Sequence, residues 1–428
     1  MPTRTSSEVF HAPAETYRDY SNTRIQNYLN EGIITDDDVV YLRRYVNEKG
    51  LNMGAQPQYK HYVFLTIWRK FIGPYAENTI DEINEGMNNI RYAKNNRNQP
   101  YSQYTIHDLV KYLKRFYLWM IDEGYSSINR RKIEQISAPK IDQMRVTAED
   151  LITEDEILKM INVCKSSRDR AIISMLYEGG FRIKEIGTLQ WKQIKHNKWN
   201  MVINTAEKTG KPRYIPLVMS KPYLAQWMND YPYDPAGDHY VFIPGNAGRA
   251  RKGKSREEIG PNHPFNYRGL QKRILLIAKE AGVTRKIYPH LFRHSRITHL
   301  IQKGYSESVI KKMMWGNLNT DMFSVYAHLT DSDIDQEIMR QEGIIQDDEQ
   351  HSSALEARQC PVCYTVNGPT MSYCSNCMTP LTQEAASEQA AIMNTISQMS
   401  EEQRNTLMIR AMNAGKNCQS NSNPIHEF

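Results

Sequence analysis

Apolar residues recur at helical spacing over most of the first 125 positions. In IHDLVKYLKRFYLWM, Ile106, Leu109, Val110, Leu113, Phe116, Tyr117 and Met120 share one stripe, and Lys111, Lys114 and Arg115 fall off it, which predicts an amphipathic helix with a basic outer face. Tyr62, Phe64, Leu65, Trp68 and Phe71 mark an earlier helix that stops at Gly73 and Pro74, and a weaker one covers about Ile80 to Ala93. Thr35 followed by Asp36, Asp37 and Asp38 reads as a helix start, because a hydroxyl accepts from the unpaired first-turn N–H groups and carboxylates suit the positive end of the helix dipole. The pattern therefore predicts a helical domain over residues 14–125, after an arm of residues 1–13. Periodicity is lost over residues 126–150, where Arg130, Arg131 and Lys132 gather, and this stretch reads as a basic linker.

Thr153 and Glu156 form the sequence of a capping box, and helical spacing resumes through Ile157 to Val163 and Asp169 to Glu178 before Gly179 and Gly180 end it. WNMVINTAEKTGKPRYIPL then alternates apolar and polar positions on either side of a turn, predicting a β-hairpin with Lys208 at its tip. GNAGRARKGKSR, holding Arg249, Arg251, Lys252 and Lys254, has no apolar pattern and reads as a flexible basic loop. A helix over YPHLFRHSRITH ends at Gly304. A short one from Ser306 through Met314 is broken by Gly316 and Asn317, and Thr320 can cap MFSVYAHL. The expected class is mainly α with a small β-hairpin or sheet (α+β), the second domain covering residues 151–345. Helical spacing returns through Ile392, Ile396, Met399, Leu407, Ile409 and Met412, predicting a terminal helical segment over residues 383–413 that suits packing on a neighbouring subunit, followed by a disordered tail at 414–428.

A chain of 428 residues with 40% hydrophobic content holds about three folded units. Its apolar runs are too short to span a bilayer and MPTRTSSEVF lacks the apolar segment of a secretory signal, so a soluble, cytoplasmic protein without membrane contact is expected. The net charge of +6 conceals an asymmetry: residues 331–428 carry 5 Lys/Arg against 14 Asp/Glu, a balance of −9, which leaves +15 for the preceding residues. A field of that sign and size favours a polyanion, most simply nucleic acid, and Lys111, Lys114, Arg115, Arg130, Arg131, Lys132, Arg249, Arg251, Lys252 and Lys254 are the cations expected to meet it, although each is also what a solvated face would carry.

Of six cysteines, four form CPVC and CSNC. Cys360, Cys363, Cys374 and Cys377 in two CxxC knuckles separated by ten residues supply four thiolates, the donor set of a structural Zn2+ with no open position for catalysis, and predict a zinc ribbon over residues 355–382.

The remaining chemistry converges on YPHLFRHSRITH. His290 and Arg293, three residues apart on one helix face, can meet a single phosphate: a guanidinium grips its oxygens and an imidazole exchanges a proton near neutral pH. Taken alone, the pair also fits a helix cap and a surface cation. Arg182 stands at the start of a helix, where unpaired N–H groups suit an anion, and Glu185 on the same face either holds a buried guanidinium or makes a structural salt bridge. Lys208 is an exposed lysine or, with a shifted pKa, a proton donor. Tyr326 on its own reads as a core tyrosine.

In this order and on these elements, Arg182 in GGFRIKEI, Lys208, the HxxR of His290 and Arg293, and Tyr326 ten residues after Gly316 resemble the active site of the tyrosine recombinases, or phage-type integrases. The resemblance spans about residues 14–330 and is stronger in the second half. It implies a helical core-binding domain, a catalytic domain and a double-stranded DNA partner. It implies a protein associated with the nucleoid, a monomer when free and a homotetramer in the synapse. By resemblance, Tyr326 attacks a DNA phosphate to form a 3′-phosphotyrosyl bond, Arg182 and Arg293 stabilise the developing charge, and His290 acts as acid or base. Lys208 protonates the leaving 5′ oxygen, Glu185 fixes the arginines and histidine, and catalysis needs no metal or nucleotide. Where the family usually has His or Trp after the glycine, this chain has Asn317, with Trp315 beside it, and either fits the role. An appended zinc ribbon resembles arrangements in archaeal mobile elements, implying an archaeal virus, plasmid or integrated element. Integration or excision is the activity expected. A sequence-tolerant topoisomerase-like nickase, a DNA-binding regulator with a decayed site, and for the tail a zinc-ribbon scaffold are the alternatives.

Overall fold

The computed structural model describes residues 10, 12–140, 150–205, 213–244, 260–326, 338–339, 342–344 and 354–419. Lys208, Arg249, Arg251, Lys252 and Lys254 lie outside these. The chain divides into one unit of residues 1–150 with 243–269 and a second of residues 151–242 with 270–428. Helices dominate both, joined by a small antiparallel sheet in the second. No helix among the described residues is long and apolar enough to cross a membrane.

In the first unit α1 (Ala14–Asn30), α2 (Asp36–Lys49), α3 (Ala55–Trp68) and α4 (Ile80–Tyr92) surround α5 (Gln103–Asp122). The predicted stripe of α5 is its buried face, with Leu109, Leu113, Phe116, Tyr117 and Met120 at the centre of the core. Thr35 and Thr79 both make full capping boxes, with Asp38 and Glu82. Asp38 goes further: buried at 1% exposure, it also accepts from Arg69 Nε at 2.7 Å and Tyr75 N at 2.9 Å, tying α2 to the segment after α3. Phe10, within the stretch expected to be an arm, is fully buried.

The 126–150 stretch differs from its irregular sequence pattern. Residues Arg130–Gln135 form a short helix, α6, whose Ile133 joins the core with Ile128. One buried apolar residue in a six-residue helix leaves no periodicity to read. Here Arg130 is engaged by Asp122 and by Glu134, and Lys114 donates to the carbonyls of Glu134 and Ile136, so these two cations serve the fold, whereas Lys111, Arg115, Arg131 and Lys132 remain exposed.

The second unit is built on α8 (Ser167–Glu178), nearly all of it buried, against α7 (Glu154–Val163), α10 (Lys221–Asn229) and α12 (Pro289–Gln302). α9 (Ile183–Gly187), α11 (Tyr267–Glu280) and α13 (Glu307–Trp315) complete it. The hairpin forms as β2 (Met201–Thr205) and β3 (Arg213–Leu217), with Ile203 opposite Ile215, and β1 (Ile194–His196) adds a strand that the alternation did not announce. Glu178, at the end of α8, accepts from the N–H groups of Val218, Met219 and Ser220 at 2.7–2.9 Å and so fixes the entry to α10. A ribbon with β4 (Arg358–Gln359) and β5 (Val366–Asn367) follows, then α14 (Gln383–Gln398) and α15 (Glu401–Gln419) in place of one terminal helix, parted at Met399 and Ser400.

His61 in α3 generates a prediction. Its ring is buried between Tyr45 and Tyr112, its Nδ1 meets no hydrogen-bond partner, and burial, then the charges of Arg115 and Lys60, hold its pKa down to about 4 from the usual 6.5. Between those values the unfolded chain binds the proton first, so the stability His61 allows is complete above pH 6.5 and is lost as pH falls toward 4. His61→Phe is expected to flatten the decline of the full chain's melting temperature from pH 7 to pH 4; parallel wild-type and variant curves would assign that decline to other groups.

Candidate active site and metal centre

Gly180 has φ +53°, a left-handed conformation that favours glycine, and a Cβ there would lie 2.8 Å from Met314 Sδ. The turn it permits sends the chain from α8 into Arg182, which precedes the first residue of α9. Glu185, one turn on, accepts from Arg182 N at 2.7 Å and pairs through Oε1 with Arg182 Nη1 at 3.1 Å. Its second oxygen, Oε2, also meets a residue that the sequence pattern did not single out. Arg213, the first residue of β3 and fully buried, pairs with Glu185 and donates from Nη1 to the carbonyls of Met313 and Met314 at 3.1 and 3.2 Å.

Those carbonyls end α13, whose last turn carries the negative end of the helix dipole. Arg293 uses the same end: its Nη2 donates to Met314 O at 2.5 Å and its Nη1 to Gly180 O at 2.8 Å, and its guanidinium lies over the Trp315 ring at 5.4 Å. Gly316 closes the helix in the left-handed region at φ +67°. Burial, then Arg213 and Arg182, pull Arg293 down to about 9, still cationic at neutral pH. Two guanidiniums thus pair with one carboxylate and a third lies close enough to feel all of these charges, and the excess positive charge suits an anion.

His290 is the second residue of α12, after Pro289, a residue exposed overall whose ring is partly buried. Its pKa is lowered by partial burial and by Arg293 and Arg182, so it is neutral near pH 7. Tyr326 follows a 3-10 turn, Asp321–Val325, in place of the expected α-helix; Thr320 caps it through Met322 N at 3.3 Å. Burial raises the Tyr326 phenol while Arg293 opposes the rise. Its Oη lies 2.6 Å from Nδ1 of His294, a second residue missed in the sequence although it stands four positions after His290. Burial, then His290 and Arg293, hold His294 at about 4.

The fold thus gathers Arg182, Glu185, His290, Arg293 and Tyr326, and adds Arg213 and His294. Glu185 holds Arg182 and Arg213, where the resemblance had it fixing Arg182, Arg293 and the histidine. Trp315 lies against both Arg293 and Tyr326, with its ring 6.1 Å from the phenol, whereas the Asn317 side chain accepts from Asn319 N within its own loop at 3.2 Å. Lys208, expected at the hairpin tip, lies outside the described residues.

The four cysteines meet in the ribbon, their sulfurs all within 4.8 Å of one another. Cys360 and Cys374 begin matching knuckles: Tyr364 N donates to Cys360 O and Met378 N to Cys374 O, both at 3.0 Å, with Tyr364 and Met378 at φ near +60°. A tetrahedral ion with bonds of about 2.3 Å needs sulfurs about 3.8 Å apart, so the donor set fits one. The ribbon is seated on α10: Gly368 faces the Tyr223 ring, where a Cβ would lie 2.5 Å from Cζ, and the Tyr223 hydroxyl is 2.7 Å from Thr370 Oγ1.

Removing Arg213 would take the buried ion-pair partner from Glu185 Oε2, which keeps only Arg182 N, and one donor from each of the Met313 and Met314 carbonyls. Arg213→Leu is expected to lower stability by about 3–5 kcal/mol, the range for breaking one side of a buried ion pair. Urea denaturation checks this, and a loss of only a few tenths would mean that water or a neighbour replaces the guanidinium.

Residues 150–333 match the phage integrase family. A tyrosine recombinase of Pyrococcus furiosus, XerA, is 27% identical over 248 residues, covering 56% of this chain and 75% of that protein. Among solved structures, the Tn1549 transposon integrase in complex with circular intermediate DNA aligns with a TM-score of 0.53 at 16% identity, over 70% of this chain and 98% of that one. Lambda integrase bound to DNA aligns with a TM-score of 0.50 at 13% identity, over 69% and 98%. Residues 150–333 therefore carry a phage integrase domain, within a fold shared with integrases, and that domain gathers two arginines, a histidine and a tyrosine.

Proposed function

We propose that the chain is a site-specific recombinase that cuts and rejoins double-stranded DNA through a 3′-phosphotyrosyl bond to Tyr326, in the service of a mobile element. The observation that carries this reading is that Arg182, His290 and Arg293 lie close enough to share one charge balance, and that the Arg293 charge reaches the Tyr326 phenol. A scissile phosphate seated there would meet donors at the oxygens where charge develops in the transition state, the arrangement that most lowers the barrier to phosphoryl transfer. Arg293, held rigidly by two carbonyls and the Trp315 ring, positions the phosphate, and His290 donates to or withdraws a proton from its oxygens. Trp315 packs the nucleophile from the far side in the role that Asn317 leaves open. Lys208 protonates the departing 5′ oxygen. The broken diester's energy stays in the tyrosyl linkage, so a second 5′ hydroxyl can reverse the attack and exchange strands.

Lys111, Arg115, Arg131 and Lys132, exposed in the first unit, and the 245–256 loop cations would contact backbone phosphates. The two-site exchange implies a homotetramer assembled from free monomers. A transposon integrase and a phage integrase among the similar folds support the mobile-element role. The ribbon holds a structural Zn2+ through Cys360, Cys363, Cys374 and Cys377, which would pin both knuckles and with them the Gly368 and Thr370 contacts to Tyr223.

Wild type mixed with duplex DNA from the flanks of its own gene and denatured in detergent is expected to carry a covalent DNA 3′ end, and Tyr326→Phe none. Tight binding without an adduct in wild type would favour a regulator with a silent site. Elemental analysis of the purified chain is expected to find one zinc per molecule, lost in Cys360→Ser/Cys374→Ser together with the ribbon's protection from proteolysis; retention of the metal in that double variant would place it elsewhere.

A further inference from the structure

A tyrosine is a poor nucleophile while its proton stays on, and burial keeps that of Tyr326 on more firmly than usual. The attack therefore needs an acceptor for the phenolic proton. His290 does not stand at the phenol; the hydrogen-bond partner recorded there is His294, with Nδ1 2.6 Å from Oη and its ring 5.3 Å from the tyrosine ring at a 32° tilt. From the assignment of Tyr326 as nucleophile, on which this rests, we infer that His294 is a further catalytic residue: its Nδ1 takes the phenolic proton as Oη attacks phosphorus and returns it when the tyrosyl bond is broken.

The step balances. The O–H pair of Tyr326 becomes the nucleophilic pair, the proton passes to His294, the P–Oη bond forms as P–O5′ breaks, and the 5′ oxygen takes its proton from a separate donor, in the proposed reading Lys208. In the reverse attack the imidazolium reprotonates Tyr326 as it departs. For Nδ1 to accept, His294 must be neutral, and its surroundings enforce this. Burial disfavours the imidazolium first and the Arg293 charge on its own helix repels it, while the groups that face the pair from elsewhere, the neutral His290, Tyr326 with Trp315 beside it and Tyr288 ahead of α12, bring no carboxylate. The same charge makes the arrangement responsive to substrate. A phosphate held by Arg182, His290 and Arg293 offsets the Arg293 charge that repels an imidazolium, so His294 becomes a stronger base when DNA is seated and a weak one when it is not. Free protein would then hold its nucleophile hydrogen-bonded yet unactivated.

Three readouts test this. In DNA-free protein, long-range 15N NMR of the His294 ring is expected to show Nδ1 unprotonated and shifted by a hydrogen bond that Tyr326→Phe removes; a protonated Nδ1 would overturn the assignment. Against the duplex mapped by the wild-type adduct, single-turnover adduct formation is expected to fall about 100-fold in His294→Ala and in His294→Gln, the scale of a lost general base. Replacing Tyr326 with trifluorotyrosine, whose phenol ionises without help, is expected to restore most of the rate in His294→Ala and to abolish the acid limb of the wild-type pH profile. An unchanged rate in His294→Ala, or an equal loss with and without the fluorines, means that His294 only shapes the pocket and overturns the proposal. A wild type that forms no adduct on any duplex overturns the recombinase reading itself, and is distinguished from failure of the base because it appears before any His294 variant is made.

Discussion

Two buried guanidiniums meet at the carboxyl end of α13, and the site depends on how their charge is accommodated. Arg213 and Arg293 reach the last carbonyls of that helix from different elements, one from a strand and the other from α12. Taking two like charges out of water costs several kcal/mol each unless hydrogen bonds and opposite charge offset it. Here the helix dipole, three carbonyl contacts, a fourth from Gly180 and the Glu185 carboxylate supply that offset. The offset is incomplete, as the depression of Arg293 and His290 records. The residual positive potential is what an anion seated there would relieve.

The arrangement also explains why Glu185 matters beyond its neighbour Arg182. Its two oxygens join the N-terminus of α9 to β3, and Arg213 carries the link on to α13. Three elements distant in sequence are held in register by one carboxylate, and the tyrosine that follows α13 inherits its position from them. Gly316 ends α13 in a left-handed turn, and the short 3-10 segment then delivers Tyr326 to His294 across the Trp315 ring.

The same unit carries the ribbon as a packed part and not as a loose appendage. α10 has its entry fixed by Glu178 from the core helix α8, and its Tyr223 receives Gly368 and Thr370 from the ribbon. A change in the order of the knuckles would thus be felt at α10, one layer from α8 and the Gly180 turn that leads to Arg182.

Local signals in the sequence were read with success because their causes are local. The helix start at Thr35, the capping box at Thr153, the apolar stripe of α5, the paired strands of the hairpin and the CxxC knuckles depend on spacing along a few turns or residues. The i, i+3 spacing of His290 and Arg293 likewise determined that both would share a helix face. Spacing said nothing of Arg213, which in the sequence is one more cation after a turn, nor of His294, which matters only because a tyrosine 32 residues later arrives beside it. Short elements without a full period, such as α6 and the 3-10 turn before Tyr326, were also beyond it. Trp315, at the end of α13, is the residue that stands against Tyr326, and the left-handed turn at Gly316 leaves the Asn317 amide in its own loop. The sequence by itself determined which residue types could do phosphoryl chemistry and on which elements they would lie. Only the tertiary structure decided which of them share one charge balance, because burial and long-range pairing, not spacing, set the cost of putting them together.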